Sequence, residues 1–219
     1  MVKYLILLVG IICWSSSFGQ YNISVKIDGL DCEDELLLAN HFGDKQYLRD
    51  TSECVNGVAT FRGDESLQNG VYLVVLPKKN YFEILISKNE DQTNYFFHTD
   101  TTLSPKKMIV EGSKENELFF EFNIFAIVEG NKAGKIRREL DSLEEGKTKK
   151  KLELELKDIN KGVALKRDKI SQDCSELFIG KLYKSMTEVK SPDFSDKSEE
   201  EQRKFKYLWM REHFWDKVD

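Results

Sequence analysis

The chain has 219 residues, with 33 Lys and Arg against 38 Asp and Glu for a formal net charge of −5, 40% hydrophobic and 11% aromatic residues, and three prolines. That length accommodates one or two ordinary cores and excludes a large multidomain enzyme. The composition excludes wholesale disorder, a collagen-like chain and a polycation built for nucleic acid.

Lys3, the apolar run Tyr4 to Trp14 and small residues at Ser17 and Gly19 read as a secretory signal peptide over residues 1–19, cleaved near Gly19 or Gln20. The run is shorter than the roughly 20 residues of a bilayer-spanning helix, which disfavours an uncleaved anchor. Cys13 raises a lipoprotein signal, but Ile12 stands where lipid attachment wants a small residue. The mature chain is therefore expected to be soluble, without a membrane span, in the periplasm or another extracytoplasmic compartment. It keeps Cys32, Cys54 and Cys174. Three cysteines cannot all pair within one chain, and no CxxC supplies a redox-active dithiol.

From Tyr21 to Gly112 apolar and polar residues alternate between turn signals. Ile23, Val25 and Ile27 form one strand, and Leu36 to Phe42 and Gln46 to Thr51 flank a Gly43-Asp44 turn. Asn56-Gly57 is the strongest hairpin signal, because a type I′ turn needs positive φ at both central residues. It sets Val55 opposite Val58 and Cys54 opposite Ala59, with Cys54, Ala59 and Phe61 on one inward face. Val71 to Leu76, Tyr81 to Ser87, Asn94 to His98 and Met108 to Val110 complete about eight short strands. The class is α+β: an antiparallel β-sandwich or partly open barrel over residues 20–112, then a helical domain over 113–219. Cys32 and Cys54 either pair across neighbouring strands or stay as two buried thiols, the second arrangement being marginally preferred.

After Gly112 the period becomes helical. Ser113 caps a helix with an apolar stripe of Leu118, Phe119, Phe122, Phe125 and Ala126, continued by Ile136, Leu140 and Leu143, which Gly130 and Gly134 bend or divide. A second long helix carries Leu152, Leu156, Ile159, Val163, Ile170, Cys174, Leu177 and Met186, giving a helical hairpin and a route to homo-oligomers. Cys174 reads as a small apolar core residue. The basic run Lys147 to Lys151 is flanked by Glu144, Glu145, Glu153 and Glu155, and Ser113 to Asp219 holds 23 basic and 23 acidic residues, so a solvated face outweighs nucleic-acid binding. The front, Tyr21 to Gly112, is acidic, with 15 acidic and 9 basic residues. Thr187 to Lys197 reads as a loop, and Ser198 and Glu201 form a capping box that starts a C-terminal helix. Trp209, His213, Phe214 and Trp215 crowd its end, either as a docking surface or as the mark of a sequence cut short.

His41, His98 and His213 show no metal-ligand spacing, and GxSxG, P-loop and GxGxxG motifs are absent. A catalytic Cys54 with His41 or His98 is disfavoured by its inward strand position. No catalytic residue, metal site or cofactor is expected.

Several phrases resemble the front half of a family of secreted Gram-negative thioredoxin-like proteins. They are Asp50-Thr51 leading to Asn56-Gly57-Val58-Ala59-Thr60-Phe61-Arg62-Gly63, then Leu67-Gln68-Asn69-Gly70-Val71-Tyr72, then Gly112-Ser113-Lys114-Glu115-Asn116. The ending His213 to Asp219 is similar to an aromatic phrase in the helical segment of such proteins. The resemblance implies a β-domain of unknown function, a helical segment and then a thiol-disulfide oxidoreductase domain. That last domain, with its CxxC, is missing, so the family's catalytic cysteines map onto none of Cys32, Cys54 or Cys174. The chain is expected to be a non-catalytic accessory region that positions or dimerises a thioredoxin-like domain or protein. The alternative is an independent envelope binding module, with an autonomous hydrolase far behind.

Overall fold

The computed structural model describes residues 20–32, 35–187 and 191–216. The expected leader, with Cys13, and the last three residues of the aromatic ending lie outside them. The strands are β1 (Tyr21–Asp28), β2 (Leu36–Phe42), β3 (Lys45–Ser52), β4 (Cys54–Val55), β5 (Val58–Gly63), β6 (Gly70–Val75), β7 (Tyr81–Ile86), β8 (Tyr95–Asp100) and β9 (Ile109–Glu111). The helices are α1 (Lys114–Leu140), α2 (Lys147–Asp173), α3 (Phe178–Ser185) and α4 (Glu199–His213). The protein is α+β, as its two periodicities indicate.

The strands form two open sheets, ordered β4-β5-β1-β8-β9 and β3-β2-β6-β7. Neither closes on itself, so the β-region is a sandwich and not a barrel. Alternation decides which residues meet inside it. Ile23, Val25, Ile27, Phe61 and Phe97 from one sheet and Leu36, Leu38, Val74, Ile84 and Ile86 from the other are all essentially inaccessible to solvent. Burying each such side chain contributes about 1.5–3 kcal/mol. The Asn56-Gly57 turn has φ of 53° and 79° and sets Cys54 against Ala59 and Val55 against Val58. One pairing departs from an antiparallel sandwich: β1 runs parallel to β8, Ile23 beside Tyr95 through Asp28 beside Asp100. The chain between them crosses into the other sheet, and that crossover makes a parallel return geometrically possible.

Side chains complete the sheet edges. Along the sandwich side where β3 meets β5, Thr60 N donates to Ser52 Oγ (2.8 Å), Ser52 Oγ donates to Thr60 O (3.1 Å), and Arg62 N donates to Asp50 (3.1 Å). At the β7 edge the Asn116 amide acts as one residue of a missing strand: Leu85 N donates to its Oδ1 and its Nδ2 donates to Leu85 O, both at 2.7 Å. The α1 start is thereby docked on the sandwich. Gly112 makes the approach possible, because it has φ +79° and a Cβ there would lie 1.9 Å from Asn94 O.

The helical part differs from its sequence reading in two ways. Gly130 and Gly134 do not divide α1, which is continuous from Lys114 to Leu140. The second helix does not run through to Met186; it stops at Cys174, and a new helix, α3, begins after Leu177. The break turns Ile179 and Tyr183 inward against α1 and α2 and into the common core, where they are 0% and 2% exposed. Glu115 accepts the hydrogen bond from the freed Ile179 N (2.6 Å), and Gly180 lets the Cys174 carbonyl approach where a Cβ would clash at 1.9 Å. Phe120, outside the expected stripe, is buried with Phe119 for the same reason: α1 packs on β-strands as well as on α2.

Asn116→Ala should leave the buried Leu85 N–H and C=O without partners and cost about 2–4 kcal/mol of stability. Urea unfolding monitored by circular dichroism measures this; a loss under about 0.5 kcal/mol would show that the edge has other partners.

Candidate functional site

The three histidines occupy three separate places. His41 is exposed on β2. His98, on β8, lies 2.8 Å from Asp28 at the end of β1, a contact set up by the parallel register. A shallow cleft of about 350 Å³ beside it is lined by Asp100, Lys106, Lys107 and Met108 among others. Lys107 and Thr102 donate to Asp100, whose carboxyl is held down to about 2 by the Lys107 contact first and Thr102 second. The cleft offers an imidazole–carboxylate pair and charges that neutralise one another. Thr99, next to His98 in the chain, also lines it, with its hydroxyl buried and without a hydrogen-bond partner.

Cys32 and Cys54 are bonded, with Cα atoms 4.9 Å apart. The bond ties the β1–β2 connection to the outermost strand of the first sheet, and Gly57 N donates to Cys32 Sγ at 3.1 Å. As a disulfide, Cys54 carries no thiolate for His41 or His98 to activate. Cys174 is a half-buried free thiol at the C-cap of α2, pushed up by burial and by Asp173, and this makes it a poor nucleophile. Among the described residues no group of three or more His, Cys, Asp or Glu side chains is placed to hold a metal ion. No described helix is long and apolar enough to cross a membrane.

The four aromatic residues expected to act together divide into two pairs. Trp209 and His213, one turn apart on α4, stack on each other with centroids 3.5 Å apart and planes at 15°. His213 Nδ1 lies 3.0 Å from Trp209 O, and both side chains are half-buried. Phe214 and Trp215 meet edge to face and are 55% and 68% exposed. With Tyr207, Met210 and Arg211 they line a depression of about 330 Å³. Met210 and Arg211 follow Tyr207 by three and four residues and precede Phe214 by four and three, so the four share one face. Sequence reading selected the right end of the helix but missed Tyr207, Met210 and Arg211, which that spacing could have supplied. The capping box is present: Ser198 Oγ accepts from Glu201 N and Glu201 accepts from Ser198 N. Phe194 and Lys197 pack on Phe205, which fixes the start of α4.

A second hollow, of about 520 Å³, opens at the end of the sandwich between Leu30, Leu76, Pro77 and Thr101, with Asp31 and Lys78 at its rim. It adjoins the disulfide-tied loop.

Residues 21–119 match the model of a family described as a domain of unknown function, DUF4369. The match covers the sandwich and the first turns of α1, including Ser113, Glu115 and Asn116. No curated protein and no solved structure matches the chain.

Reduction of Cys32–Cys54, which closes a 22-residue separation, should lower stability by about 3 kcal/mol through the entropy returned to the unfolded chain. Urea midpoints with and without dithiothreitol test this, and coincident curves would contradict it. The depressed Asp100 carboxyl contributes stability above its ordinary value of 3.8 that is lost as pH falls through about 2. Asp100→Asn should accordingly flatten the acid limb of the stability profile between those values; an unchanged limb would exclude the contribution.

Proposed function

We propose that the chain is a non-catalytic extracytoplasmic accessory region that positions or dimerises a thioredoxin-like thiol-disulfide oxidoreductase domain or protein. The observation that carries this reading is the face of exposed Tyr207, Phe214 and Trp215, with Arg211 and half-buried Met210 among them. Aromatic, methionine and arginine side chains are the types enriched where proteins meet proteins. Two further features support it. The Gly112 to Asn116 phrase, part of the resemblance to the thioredoxin-like family, docks α1 on the sandwich, so the two parts form one support. In the cleft beside His98 the carboxylates of Asp28 and Asp100 are paired with His98 and Lys107.

A second reading, an independent envelope binding module, is favoured by the hollow at Leu30, Leu76 and Thr101. Its residues are remote from α4 in sequence, and a ligand there would need no redox partner.

Titrating a CxxC thioredoxin-like domain into the protein should shift tryptophan fluorescence saturably. Trp215→Ala or Phe214→Ala should weaken binding by tenfold or more, a typical interface anchor being worth about 2 kcal/mol. The protein alone should show no turnover in a dithiol-dependent reductase assay. Turnover, or binding indifferent to both substitutions, would remove the accessory reading; a small-molecule shift abolished by Leu76→Arg would favour the second.

A further inference from the structure

We infer that the hollow at the end of the sandwich is a binding site for a short zwitterionic peptide, two or three residues long, with both termini free and an apolar side chain. The inference deepens the binding-module reading and rests on it for its purpose.

The hollow takes its walls from both sheets. Gly29, Leu30 and Asp31 continue β1 and Thr101 follows β8 in one sheet, whereas Leu76 to Asn80 joins β6 to β7 in the other. Its floor is apolar: Leu76 is 3% exposed, half-buried Leu30 packs on the core, and Pro77 is half-buried as well. These walls are fixed by bonds of their own. Leu76 N donates to Asn80 O (2.9 Å), Lys79 N donates to Leu76 O (2.8 Å), and Leu30 N donates to Ile27 O (3.3 Å). The Cys32–Cys54 bond anchors the chain next to Asp31. A preformed site loses little binding energy to ordering.

Four polar side chains line the hollow, Asp31, Lys78, Asn80 and Thr101, and among the described residues none of them makes a hydrogen bond or an ion pair. The cleft beside His98, at the same end of β1 and β8, is the reverse: Asp28 pairs with His98, and Asp100 with Lys107 and Thr102. Polar groups without partners that converge on an apolar hollow are the means by which a small-molecule site orients its ligand.

Their chemistry selects that ligand. Asp31 and Lys78 come from different sheets and do not pair with one another, so the hollow offers a carboxylate from one wall and an ammonium from the other. A ligand of one sign satisfies only one of them; a zwitterion satisfies both. The Asn80 amide and the Thr101 hydroxyl each donate and accept, as a peptide group between two charged termini requires. Leu30, Leu76 and Pro77 receive an apolar side chain. Size agrees with this. The hollow holds about 520 Å³. A sphere of that volume is about 10 Å across, and two or three residues of extended chain span about 7–11 Å.

Isothermal titration calorimetry of the full chain with leucyl-alanine should show saturable binding. N-acetyl-leucyl-alanine, which lacks the ammonium, and leucyl-alanine amide, which lacks the carboxylate, should each bind tenfold or more weakly. Asp31→Asn should remove the preference over the acetylated form alone, and Lys78→Met the preference over the amide alone. Circular dichroism checks that these exposed substitutions leave the fold intact. No saturable binding of leucyl-alanine at millimolar concentration, equal binding of the three compounds, or binding indifferent to both substitutions overturns the inference. The binding-module reading is scored separately: another small molecule whose binding is abolished by Leu76→Arg, with none of the dipeptide bound, overturns the peptide assignment and leaves that reading standing.

Discussion

One cluster of hydrogen bonds holds the two parts of this protein together. The Glu90 carboxylate accepts from Tyr95 OH (2.8 Å), Ser113 Oγ (2.5 Å) and Glu115 N (2.8 Å). Ser113 Oγ in turn accepts from the backbone N–H and the side-chain amide of Asn116, whose other contacts close the β7 edge. Glu115 reaches the opposite way to Ile179 N and so caps α3. Burial, with Glu90 beside it, pushes the Tyr95 hydroxyl well above its ordinary value, so it remains a proton donor. Ser113, Glu115 and Asn116 are essentially inaccessible to solvent. Buried polar groups are tolerated when they satisfy one another; all the cluster's groups but Glu115 Oε1 do so, and that requirement specifies one geometry for a turn, a sheet edge and two helix starts at once.

A sandwich joined in this way to α1 and α3 is a rigid base. The hairpin of α1 and α2 extends from it, and α4 follows a separate segment with its own cap. The cysteines of the sandwich are bonded to each other, and Glu90 and Glu115 accept from backbone and hydroxyl donors.

Local patterns were legible in the sequence and distant partnerships were not. The alternation of Ile23, Val25 and Ile27, the Asn56-Gly57 turn and the caps at Ser113 and Ser198 each depend on residues within a few positions, and each forms as its pattern dictates. The cluster joins residues 23 to 64 positions apart, and no periodicity encodes such a meeting. The end of α2 was hidden for the same reason. Cys174, Leu177 and Met186 fit a continuing helix, and only the core position offered to Ile179 and Tyr183 makes a break favourable. Cys32 and Cys54 could be judged neighbours in the fold from their strands, but bonding depended on a loop path that no short-range signal describes. On α4 the aromatic content was visible, while the stacking of His213 on Trp209, which sets that pair apart from Phe214 and Trp215, was not.

The parallel pairing of β1 with β8 sets an order of events. Strand β1 is the spine of its sheet, yet both its partners come later in the chain, and the second is complete only at Asp100. The β2–β3 and β6–β7 hairpins can form from short-range contacts while Ile23, Val25 and Ile27 still have nothing to cover them. A chain of this topology thus passes through a stage with an apolar strand bare on both edges, and closing long-range pairs is the slow step in folding. The interval between the arrival of β1 and that of β8 is where aggregation and chaperone capture compete with folding, and shortening it would improve the yield of native protein without changing a single contact in the finished structure.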